Sequence, residues 1–147
     1  MRKEASTRKV LLGLVGFGVV VSLAFGVPLS RAAEMGMSEE LRTAITHAGF
    51  AAKYDTMKEV SLHLHHVVNC LVGEGDPLFD KAAGNPCQGQ GKGILPDIKA
   101  KTGEDREYQV AWWLAHMGSD AIKMGKLPQA KAAAHIIETQ LTSMSKM

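Results

Sequence analysis

Four apolar residues, Val60, Leu64, Val67 and Leu71, recur at steps of 4, 3 and 4. At about 100° per residue they line one side of an α-helix, and a strand would scatter them over both of its faces. Thr56 and Glu59 make a capping-box pattern at the start of this segment, and Gly73 stands just past its end. Beside the apolar stripe runs a second one, Glu59, His63, His66 and Cys70, again stepping by 4, 3 and 4. A row of carboxylate, imidazole, imidazole and thiol on one helix edge is half of a metal site.

The other periodic segments are helical too. Ser38 is placed to cap a helix over 38–53, with Glu39 and Glu40 in its first turn and Leu41, Ala44, Ile45, Ala48 and Ala52 on its apolar side. A second helix spans 56–72. A third runs over 104–124, with Val110, Trp113, Leu114, Met117 and Ala121 facing inward. A fourth, over 128–143, opens on Pro128 and buries Ala133, Ile137, Leu141 and Met144. Between the second and third lies 73–103, which holds Gly-Asp-Pro, Gly-Asn-Pro and three alternating glycines and reads as a long crossover loop. No phosphate cradle is read there, because no strand precedes the glycines and no Gly-Lys-Ser/Thr follows them. The expectation is an all-α fold, a four-helix bundle of two helical hairpins.

The N-terminus sets the compartment. Basic residues up to Lys9 precede an apolar run from Val10 to Leu29, and Ser30-Arg31-Ala32 supplies small residues at the −3 and −1 positions of a cleavage site. Residues 1–32 therefore read as a signal peptide and 33–147 as one domain of the periplasm. The alternative is an uncleaved inner-membrane anchor over 10–29. Removing 1–32 takes away five basic residues and Glu4, which leaves 12 basic and 14 acidic residues. Without a basic patch, nucleic acid is excluded as a partner. Export favours a disulfide between Cys70 and Cys87, tethering the loop, over a pair of metal-binding thiolates.

An internal repeat adds the functional signal. A shift of 69 positions lays His47 on His116 and His66 on His135, so each hairpin carries two histidines 19 residues apart across its turn. If both turns lie at one end of a bundle, these four imidazoles share one depth, roughly 13–15 Å from that end. The helical wheel places them at the boundary of the apolar faces, with His135 nearly opposite Ile137 and Leu141. Edge sites between neighbouring helices are expected in place of one closed centre. The candidate ligands are His47 with His63 and His66 across the first hairpin, and His116 with Asp120 facing His135 with Glu138 across the second. Glu59 is a further candidate beside His63, and His65 points away from both stripes.

The segments His47-Ala48-Gly49-Phe50-Ala51 and His116-Met117-Gly118-Ser119-Asp120-Ala121, helices joined by short turns, resemble the small histidine-rich periplasmic metal-binding proteins of bacteria. The resemblance covers the two hairpins and not the 73–103 loop, and those proteins carry more histidines and generally lack the cysteines. It implies reversible binding of a divalent metal for storage or buffering, with copper, zinc or nickel suited to imidazole and carboxylate. The helical arrangement is also similar to that of the four-helix cytochromes. Covalent haem is excluded because no Cys-x-x-Cys-His occurs, which leaves non-covalent haem b with His or Met axial ligands, Met117 and Met124 among them. A third reading is an accessory subunit, a homodimer or part of an envelope complex, docking through Trp112 and Trp113, of which Trp113 is expected in the core. Neither a nucleophile elbow nor a zincin helix occurs, so the chain is not read as an enzyme.

Overall fold

A computed structural model describes residues 29–146, and the apolar run and most of the expected signal segment lie outside them. The secondary structure of the described residues is all α-helical: α1 Leu29–Lys53, α2 Met57–Val72, α3 Ile94–Thr102, α4 Arg106–Met124 and α5 Leu127–Met144. Among them, no helix is long and apolar enough to cross a membrane.

The helix ends follow the local chemistry. Thr56 Oγ1 accepts the Glu59 N–H at 3.3 Å, and the Thr56 hydroxyl donates to the Glu59 carboxylate at 2.6 Å, so the side chains close α2 reciprocally. Asp105 caps α4 by accepting the Tyr108 N–H at 3.0 Å. Gly125, at φ 64°, ends the same helix in the left-handed region that few other residues enter without strain.

Helix α2 is the axis of the molecule. Val60, Leu64, Val67 and Leu71 are fully buried, and burial becomes continuous from Val67 to Val72 because a second layer covers the far side of the helix. That layer is the 73–93 segment together with α3. Helix α1 packs on α2 and α5, α4 on α2 and α5, and α2 also touches α5, so the four long helices share one core. Small residues let them approach: Ala44, Ala48 and Ala51 on α1, Ala111 and Ala115 on α4, Ala130 and Ala134 on α5.

Four sequence expectations are corrected here. Helix α1 spans Leu29–Lys53, so Ser38 lies inside it and not at its start. The 73–103 crossover is not all loop: Ile94, Leu95 and Ile98 share a buried face and form α3, a period too short to stand out from the flanking glycines and Pro96. Helix α4 is rotated from its expected setting. Its buried face is Ala111, Leu114, Ala115, Gly118 and Ala121, while Trp113 is 64 % exposed. The reason is the close approach to α2, where a Cβ on Gly118 would come within 2.9 Å of Val68 Cγ2; an indole cannot occupy that seam. Met144, expected in the core, is only half-buried, at the frayed end of α5.

Candidate metal centre

The loop over α2 is held by two devices. Cys70 and Cys87 form a disulfide, which closes a loop worth on the order of 3 kcal/mol by chain entropy. One residue earlier, Asn69 is buried and uses its whole amide: Nδ2 donates to the carbonyls of Asp80 at 2.8 Å and Gly84 at 2.7 Å, and Oδ1 accepts the Asp80 N–H at 2.8 Å. The segment between these anchors brings the Ala83 carbonyl to His66, whose Nε2–H donates to it at 2.8 Å. This bond fixes the tautomer of His66 and leaves Nδ1 as a bare lone pair.

That lone pair points at a second imidazole. His66 Nδ1 lies 3.2 Å from His47 Nδ1, and His47 Nδ1 lies 2.9 Å from His63 Nδ1. The ligand atoms of the three residues all fall within 4.8 Å of one another, and all three side chains are half-buried at the α1–α2 seam. Zinc bound by nitrogen at 2.0–2.1 Å with tetrahedral angles needs donors roughly 3.3–3.4 Å apart, so the two His47 contacts, at 2.9 and 3.2 Å, have to lengthen by a few tenths of an ångström to admit an ion.

The electrostatics suit a cation-free, neutral set. Burial, followed by the neighbouring His66 and His63, pushes the His47 imidazolium down to about 4. His63 is lowered as well, by burial and by His66, with Glu59 pulling the other way. Both rings are thus neutral ligands near pH 7, and little proton competition opposes a metal. Aromatic rings buttress the cluster: Tyr54 stacks on His63 with ring centroids 5.1 Å apart, and Phe50 lies 5.2 Å from His63 and edge-on to His47 at 5.8 Å.

The remaining candidates are placed elsewhere. Glu59 sits one turn before His63 but is engaged by Thr56. In the second hairpin, His116 packs on Trp112 with ring centroids 4.0 Å apart, and Asp120 is 3.7 Å from Lys123. His135 is exposed, 3.8 Å from Glu138, which covers Gly49 of α1. Among the described residues, these four do not form a group like the first. His65 is 3.3 Å from Asp80.

No family model, curated protein or solved structure matches the chain.

Sequence reasoning missed four contributors to the centre. Phe50 and Tyr54 carried a faint signal, since each lies three or four residues from its neighbour, starting at His47, with Tyr54 just past the end of α1. Asn69 had none, because a lone amide opposite the apolar stripe does not announce what it will bind. The Ala83 carbonyl is a backbone group and has no sequence signature at all.

Proposed function

We propose that the chain is an exported metal-binding protein that holds a divalent transition metal reversibly through His47, His63 and His66. The supporting observation is the convergence of three imidazole Nδ1 atoms, one of them fixed as an acceptor by the Ala83 carbonyl. Three neutral nitrogens at a half-buried seam suit copper, zinc or nickel, with copper favoured by the general order of affinities. A site of this exposure suits storage, buffering or transfer in the periplasm better than a permanent structural ion. Within this reading the fold is a four-helix bundle of two hairpins after a signal peptide, and the disulfide fits an oxidising compartment.

Haem draws less support. The cavity beside His116, bounded by Val72, Pro77, Leu78, Leu95 and Trp112, has about 250 Å³. Pockets for organic ligands run from roughly 300 to 1,000 Å³.

Calorimetric titration of the purified protein with zinc, copper or nickel tests the proposal. One equivalent should bind, and His66→Ala should weaken binding strongly. No heat above dilution with any of the three metals removes it.

A further inference from the structure

Among the described residues, the group of His, Cys, Asp and Glu atoms close enough to share an ion consists of His47, His63 and His66. Phe50 and Tyr54 stand next to the imidazoles and are about two-fifths exposed, so the surroundings are aromatic and solvent reaches them. Glu59, the carboxylate nearest in sequence, is bonded to the Thr56 hydroxyl at 2.6 Å. The second nitrogen of His66 is spent on Ala83. Divalent zinc and its neighbours take four or more donors, and three-histidine sites characteristically keep an exchangeable position. Charge points to what fills it: three neutral imidazoles leave both positive charges of the ion uncompensated beside aromatic rings.

We propose that a metal at His47, His63 and His66 completes its coordination with a small monodentate anion from outside the chain, so that the working complex is protein, metal and anion together. This rests on the metal-binding reading and goes beyond it. Anion exchange at the free position gives an incoming donor its point of attack before any histidine lets go, which makes transfer to a partner a ligand substitution and not a release into solvent.

Cobalt(II) is the probe, because its visible bands report coordination directly. The full chain with one equivalent of cobalt(II) should show saturable bands, and titration with azide should shift them to a new saturating spectrum. Tyr54→Phe keeps the ring that stacks on His63 and removes only the hydroxyl, so it tests whether the phenol is the fourth donor. Phe50→His adds an imidazole beside His47 and His63; it should tighten cobalt binding by about tenfold or more and abolish the azide response. Bands that saturate at one equivalent but ignore a large excess of azide overturn the inference while leaving metal binding standing. A changed cobalt spectrum in Tyr54→Phe without any azide effect does the same. Absence of cobalt bands altogether removes both.

Discussion

The two hairpins carry the same histidine spacing and use it differently. In the first, His47 and His66 bring their Nδ1 atoms within 3.2 Å, and His63 joins them. In the second, His116 lies on Trp112 and His135 faces solvent, its side chain 75 % exposed. The difference lies in how each helix is rotated about its axis. Helix α4 turns its small residues, Ala111, Ala115 and Gly118, toward its neighbours, and α5 does so with Ala130 and Ala134. His135 follows a fully buried residue and precedes the exposed Ile136, which puts it on the outward side. Spacing along a helix sets the depth of a side chain, while packing of the smallest residues sets its direction.

The largest effect that would break this contrast is on metal affinity. His47→Ala or His66→Ala should weaken zinc binding a hundredfold or more, on the order of 3 kcal/mol, because each removes one of three donors. His116→Ala and His135→Ala should leave it within about twofold. Calorimetry on the four variants decides it, and equal losses in both hairpins would mean that the ligands are shared between them.

A second test concerns the buttress that only the first hairpin has. Asn69→Ala strands the Asp80 N–H and the carbonyls of Asp80 and Gly84, and should lower unfolding stability by about 3 kcal/mol. Since the same segment presents the Ala83 carbonyl to His66, zinc affinity should fall too, by about tenfold, less than for His66→Ala. Urea denaturation gives the first number and calorimetry the second. Lost stability with unchanged affinity would show that the loop secures the fold without orienting His66.

Much of this was legible in the residues. The stripe Val60, Leu64, Val67 and Leu71 names the core face of α2, and the neighbouring stripe places His63 and His66 together, because one helix turn fixes both. The Cys70–Cys87 bond followed from having two cysteines and from the expectation that the chain is exported. The rotation of α4 was not legible, because Trp113 scores as core on any hydrophobic wheel. What excludes it is the tight seam at Gly118, a property of the pair of helices and not of either one. Helix α3 was hidden for a related reason: its three apolar residues fit several patterns until the α2 surface selects one.

Along α1 the comparison sharpens into two positions, Glu40 and His47, that titrate in opposite senses. Glu40, 1 % exposed, accepts the Gly93 N–H at 2.9 Å, and its Oε2 is buried without a hydrogen-bond partner. Burial, and secondarily the facing Asp97, push this carboxyl up to about 7. A raised acid contributes stability below its unfolded value of 4.5 that is lost as pH rises through about 7. His47 is lowered, so its contribution is present above 6.5 and lost as pH falls through about 4. Glu40→Gln should therefore match the parent near pH 4 and exceed it by about 2 kcal/mol near pH 8, in metal-free protein followed by thermal unfolding. A constant offset at both pH values would show that Glu40 does not titrate in this range.

The smallest expected effect lies in the second hairpin itself. His135 and Glu138 are 3.8 Å apart with the imidazole in water, so screening and side-chain entropy cancel most of their attraction. His135→Ala should change unfolding stability by less than about 0.5 kcal/mol at pH 7. His116→Ala should cost somewhat more, about 0.5–1 kcal/mol, through lost ring contact with Trp112. Denaturant titrations at pH 6 and pH 8 separate the cases, since a working ion pair would make the His135 effect grow on acidification while ring contact would not. A His135 loss above 1 kcal/mol at either pH would mean that the second hairpin uses its histidine structurally, and the contrast would then lie in what each pair binds and not in whether it is used.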